Sequence, residues 1–351
     1  MPGPVEGGLG RRVHAALREL SPGYFAAAMA TGILSIGFGA EGFETLSDIL
    51  LDLTVVAFLV LLGLTLWRLL AHRGDLVEDF THLHRGFGFY SFVAAADVLA
   101  ARIAASHQVL AAVLLAVAGV SWLARGYAVP WTTRLGRGEH PIVAAANGSW
   151  FMWAVGGQSV AVAAAVLAPA YPGPFLPMVA VVAWALGLFV YVVDGIFVVM
   201  RLLAYPFTAA DLTPPYWVAM GAAAISVLAG AHITGLAGSP FVDPIREVVR
   251  GAGLLLWAVA TWLLPGLFAM GWWRHVTHRI PLVYDANLWS IVFPLGMYAV
   301  CTHELAGVEG LPWLGSIASA WIWVAATAWL LTGGAMVRHV LQDVLLGERA
   351  G

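Results

Sequence analysis

Few residues in this chain can do chemistry, and each sits in an apolar setting. Asp97 lies within Ala94-Ala95-Ala96-Asp97-Val98. An ionised carboxylate facing hydrocarbon costs several kcal/mol, so it must meet water, find a partner or hold a proton. Two readings fit Asp97: a carboxyl that couples protons to solute movement, or a protonated group in a structural hydrogen bond. Arg102 follows five residues later, roughly 140° around a helix, so the two do not share a face. Asp194 has Arg201 seven residues on, along a similar face. It reads as a tie between neighbouring helices.

Neutral donors form the next set. Thr31 and Ser35 are four residues apart on one helix face, and Gln158 and Ser159 follow the Gly156-Gly157 pair. Such groups solvate an anion without holding it tightly, and a path must release what it binds. Equally, membrane Ser, Thr and Gln often join helices by hydrogen bonds. Of the 11 His, His82, His84, His275 and His278 lie beside Arg residues, while His232 and His303 lie near helix ends. A haem would need facing His pairs inside the bundle. His303-Glu304 is a candidate proton site at a mouth. Cys301 is the single cysteine, so thiolate metal clusters and internal disulfides are excluded. No metal site, cofactor or catalytic residue is expected.

The bulk composition says where these residues must sit. Of 351 residues, 61% are hydrophobic and 11% charged, and the mean hydropathy is +0.85. Soluble domains carry roughly 25% charged residues. Soluble enzymes, nucleic-acid binders and disordered chains are thereby excluded. The net charge of −3 leaves no basic face for nucleic acid. Membrane lipid is the expected surrounding. A spanning helix needs roughly 20 apolar residues, and ten stretches qualify: 22–40, 49–70, 86–105, 108–125, 148–168, 176–201, 216–236, 251–271, 289–305 and 317–340. The expected fold is therefore an all-α polytopic membrane protein. Residues 1–20 form an N-terminal segment, 21–341 the ten-helix domain and 342–351 a tail. Arg11 to Leu20 reads as a short amphipathic surface helix. All 17 basic residues are Arg. Only Arg102, Arg246 and Arg250 fall at one set of helix ends, so the positive-inside rule predicts both termini inside. Trp67, Trp131, Trp217, Trp272, Trp273 and Trp313 fall where an interfacial belt is expected.

The odd stretches start near 22, 86, 149, 215 and 289, a step of roughly 65 residues that lengthens at the last. That spacing suggests five helical hairpins arranged as parallel repeats about a central path. Odd stretches carry small or helix-weakening residues: Gly32, Gly86, Gly88, Gly156, Gly157, Gly221, Pro294 and Gly296. Several even ones are bulkier. The contrast predicts an inner ring of odd helices inside an outer ring of even ones. Pro294 lacks its backbone donor and predicts a kink. Thr31, Gly32, Ser35, Gln158, Pro294 and Gly296 are taken as path-lining positions.

Two motifs carry a family resemblance. The segment Ser21-Pro22-Gly23-Tyr24-Phe25, followed by Met29-Ala30-Thr31-Gly32-Ile33-Leu34-Ser35, resembles the first helix of the tellurite-resistance/dicarboxylate transporter family, with Ala30 in place of the usual Gly. Trp289-Ser290-Ile291-Val292-Phe293-Pro294-Leu295 resembles that family's aromatic-x-x-Phe-Pro-Leu segment. The family includes malic acid permeases, sulfite efflux pumps and plant slow anion channels. The resemblance implies five hairpins around a central pore, a homotrimer with one pore per protomer, and Phe293 as an aromatic gate. It also implies transport of small anions across the cell's inner (plasma) membrane rather than enzymatic turnover. C4-dicarboxylates such as malate lead, with proton coupling through Asp97. A passive channel for chloride, nitrate, sulfite or tellurite is the alternative. A His-ligated membrane redox protein is a third reading from another class.

Overall fold

Five long hairpins account for nearly all of the chain. The computed structural model describes residues 16–18, 20–82, 85–135 and 142–342. Most of the expected N-terminal amphipathic helix, the tail beyond 342, His84 and the side chain of Trp131 lie outside the described residues. Ten helices are long and apolar enough to cross a membrane, and the described residues contain no strand. We number them α1 (Pro22–Ala40), α2 (Glu44–Ala71), α3 (Arg85–Ile103), α4 (Gln108–Val129), α5 (Gly148–Ala170), α6 (Phe175–Ala204), α7 (Pro214–Thr234), α8 (Asp243–Thr277), α9 (Ala286–Glu309) and α10 (Pro312–Gln342). A short helix, Arg73–Thr81, joins α2 to α3.

The odd helices are the core. Between 67% and 89% of their apolar windows is buried, against 17% to 33% for the even helices. Each odd helix packs on the next, and α9 returns to α1, so the five close into a ring. Each even helix packs on its own hairpin partner and leans on the next odd helix, except that α10 leans back on α1. The even helices therefore form the outer ring and expose rows of leucine and valine.

All five odd helices begin with a 3-10 turn: Pro22–Tyr24, Arg85–Phe89, Gly148–Phe151, Pro214–Trp217 and Ala286–Leu288. These turns also touch one another in a closed circle at one mouth of the ring. Ser21, Asn147 and Asp285 cap three of them, accepting from backbone N–H groups two residues on. This satisfies donors that a helix start leaves open. Each turn carries a bulky pair: Tyr24-Phe25, Phe89-Tyr90, Trp150-Phe151, Tyr216-Trp217 and Leu288-Trp289. The collar exposes the repeat that spacing alone suggested. Trp217 is accordingly buried against Phe268 at 5.1 Å and is not a belt residue. Trp67, Trp272, Trp273 and Trp313 are exposed.

The small residues are used for close helix contact. A Cβ on Gly32 would stand 2.7 Å from Val98 of α3 and 3.2 Å from Thr54 of α2. One on Gly157 would meet Trp122 of α4 at 2.8 Å. Pro294 lies inside a helix that continues through it, with Gly221 of α7 close against its ring, 2.8 Å from a would-be Cβ. On the collar side, Arg68 pairs with Asp79 at 2.7 Å, both almost fully buried. That pair pins the Arg73–Thr81 helix to α2, and Arg68 also donates to the carbonyl of Leu20.

Candidate functional site

Beyond the collar, all five odd helices also meet at the centre of the ring. A narrow cavity there is lined by Ile33 and Ile36 of α1, Asp97, Val98 and Ala101 of α3, Ser159 and Val162 of α5, Ile225 and Leu228 of α7, and Met297 of α9. Within each helix the lining residues are three or four apart, which keeps them on one face, except that Asp97 and Val98 are adjacent and flank it. The space is at most what one water needs. Its lining is apolar apart from Asp97 and Ser159.

Asp97 is fully buried. Ser159 Oγ lies 2.9 Å from Asp97 Oδ2 and 2.9 Å from the carbonyl of Gly156. A hydroxyl has one proton to give and two lone pairs to receive. Ser159 can donate to the carboxylate, or donate to Gly156 while accepting from the carboxylic acid. The site therefore accommodates both protonation states without moving. Asp97 Oδ1 has no protein partner among the described residues and is left for water or a passing solute.

Phe293 is fully buried one turn before Met297 on α9. The neighbours of α9 fix its direction. Pro294 touches Gly221 of α7, and Gly296 faces Ile33 of α1, 2.9 Å from a would-be Cβ. At roughly 100° per residue, the bisector of those two contacts falls between Phe293 and Met297. The face carrying Phe293 thus turns toward the ring centre, about 6 Å nearer the collar than Met297. Equivalent positions one turn before the cavity on the other helices are Met29, Ala94, Val155 and Gly221, all buried.

The other expected path residues lie elsewhere. Thr31 accepts from Trp329 Nε1 of α10 at 2.9 Å, on the back of α1. Ser35 donates to the carbonyl of Ser47 on α2 at 2.7 Å and accepts from Arg102 at 3.0 Å. Gln158 donates to the carbonyl of Trp184 on α6 at 3.1 Å. Gly32, Pro294 and Gly296 are helix contacts. Each of these six serves packing between helices, because a neighbouring helix occupies the face it presents. Ser159, adjacent to Gln158, is the residue that reaches the centre. Met297, Ile33, Ile225 and the other apolar lining residues carry no chemical mark in the sequence. The available signal was their spacing from Asp97 and from one another.

Toward the mouth opposite the collar, His303 pairs with Glu41 at 3.0 Å, and Ser319 donates to the same carboxylate. This cluster ties α9 and α10 to the end of α1. Glu304 lies instead within electrostatic reach of His232 on α7. Asp194 is buried with Oδ2 unpartnered, near Tyr90, and Arg201 turns away from it toward Asp211. No group of three potential metal ligands occurs among the described residues.

Comparison with known proteins agrees with this architecture. A family model described as "Voltage-dependent anion channel" matches residues 19–337. An uncharacterized membrane protein of Mycobacterium tuberculosis is 51% identical over 157 residues, 45% of this chain and 80% of that protein. Two uncharacterized transporters of Methanocaldococcus jannaschii are 21% and 20% identical over 90% of this chain, covering 93% and 92% of their own lengths.

Proposed function

The chain belongs to the voltage-dependent anion channel family, and on that premise we propose that it moves small anions along the axis of the five-helix ring, with C4-dicarboxylates of the malate type as substrates and a proton carried by Asp97. Anion transport is the activity class of the family. The observation that carries the finer reading is the pairing of Asp97 with Ser159 in the central cavity. An ionised Asp97 would repel an anion in so narrow and dry a place. With a proton on Asp97, that repulsion is gone, and the free acid edge can donate to the anion. Anion and proton then cross together. Entry is favoured at the collar, where five helix starts direct the positive ends of their dipoles at one mouth.

No Arg or His lines the cavity. Tight dicarboxylate recognition uses a bidentate guanidinium clamp. This path accordingly binds weakly, conducts fast and selects loosely, and submicromolar dicarboxylate affinity would contradict it. The same reading places the protein in the cell's inner membrane with the collar and both termini inside. Arg68, Arg73, Arg85, Arg201 and Arg274 near the collar side support that orientation. The family resemblance further supports three copies, each with its own path.

Proteoliposomes loaded under an imposed pH gradient test the proposal with radiolabelled malate. Accumulation above equilibrium that a protonophore abolishes is the expected result. Equilibration without accumulation, with chloride or nitrate competing, would instead identify a passive channel. The buried ring of Phe293 across the axis is the observation that favours that second reading.

A further inference from the structure

A second cavity lies off the axis. It is a groove of about 170 Å³ between α1, α2, α3 and the Arg73–Thr81 helix, partly open to the surroundings. Its walls are Phe25, Leu62, Leu76, Phe89 and Phe92, and Arg68 stands at its polar end. The adjoining surface is apolar and exposed, with Leu66, Leu69 and Leu70 on α2 and Val77 on the short helix. The groove is therefore continuous with the hydrocarbon-facing side of the outer ring. An empty apolar slot of this kind, beside lipid, has acyl chains as its nearest filler.

Arg68 says more about the occupant. It is 2% exposed, yet its Nε–H has no partner among the described residues. Its other nitrogens donate to the carbonyl of Leu20 and pair with Asp79. Asp79 is itself shared, its second oxygen lying 2.9 Å from Arg85. One carboxylate divided between two guanidinium groups leaves Arg68 incompletely neutralised. A buried donor without an acceptor is costly, because it has given up water for nothing. A phosphate or ester oxygen supplied from the membrane would remove that cost, and basic pockets between helices select anionic head groups. We propose that this groove is a binding site for one anionic phospholipid from the leaflet on the collar side, with an acyl chain along the phenylalanines and its head group on Arg68.

Arg68 is too deeply ion-paired to make a clean test, so the variants fill the groove instead. The full chain is reconstituted in vesicles of equal phosphatidylglycerol and phosphatidylcholine, extracted in mild detergent and weighed by native mass spectrometry. The wild type should retain one phosphatidylglycerol per protomer, at least tenfold over phosphatidylcholine. Leu62→Trp and Thr65→Trp should each lose it, with helix content and anion flux unchanged. Should one variant misfold, the other gives the comparison, and the head-group preference of the wild type is read without either. Absence of retained lipid, equal retention of the two lipids, or undiminished retention in the filled variants would overturn the assignment.

Discussion

Replacing Phe293 by alanine separates a gate from a packing residue. The ring is fully buried on the face of α9 turned toward the axis, one turn from a cavity no larger than a water. On the proposed axial path, an anion passes only if the ring leaves that place. Uncovering a buried phenylalanine costs about 2 kcal/mol. Twisting it off its rotamer adds up to about 1 kcal/mol. At about 1.4 kcal/mol per factor of ten, the ring holds the conducting arrangement down by roughly 30- to 150-fold. Phe293→Ala removes that restraint. Chloride, nitrate and malate efflux from proteoliposomes should rise by one to two orders of magnitude, and Phe293→Leu should fall between. The opposing view treats Phe293 as core, where Phe→Ala costs about 3–5 kcal/mol. That view predicts a lower melting temperature and no faster efflux, and such a result would refute the gating argument.

Asp97→Asn keeps the shape and removes the proposed proton carrier, so malate accumulation under a pH gradient should vanish while passive exchange persists. Unchanged pH dependence would remove Asp97 from the mechanism. Asp79→Asn strands the buried Arg68 charge, a loss of about 3–5 kcal/mol that thermal melts in detergent should detect. The double change Arg68→Met with Asp79→Leu should recover most of it. Asp211 accepts from the Thr208 backbone N–H at 2.8 Å and from its hydroxyl at 2.7 Å, and these bonds hold its carboxyl below the usual range. With the folded value depressed, the cap contributes fully above the unfolded value, about 3.9, and its contribution is lost as pH falls through the folded one. Melts of Asp211→Asn should lie below wild type at neutral pH and converge with it in strong acid. Gly310 ends α9 at φ 65°, so Gly310→Ala should lower stability by about 1 kcal/mol, read as a small shift in melting temperature.

The number of spanning helices, their pairing into hairpins and the segregation of odd from even were legible in the residues alone. Those follow from length, hydropathy and small-residue content, which are sums over many residues and tolerate local error. The sequence also marked Asp97, because a carboxylate among alanines in a membrane needs a reason. The tertiary structure alone decided which face of each helix turns to the axis. Gln158 and Ser159 are neighbours of similar polarity, yet one meets α6 and the other meets Asp97. Thr31 looked like a path residue until Trp329, nearly three hundred positions away, was found to occupy its hydroxyl. The five aromatic starts could be read as a repeat only after the collar had aligned them. A helix shows a different face every 100°, and nothing local records which neighbour will cover it. That choice is made by closure of the ring, where α9 meets α1 and each glycine finds the side chain that fits against it.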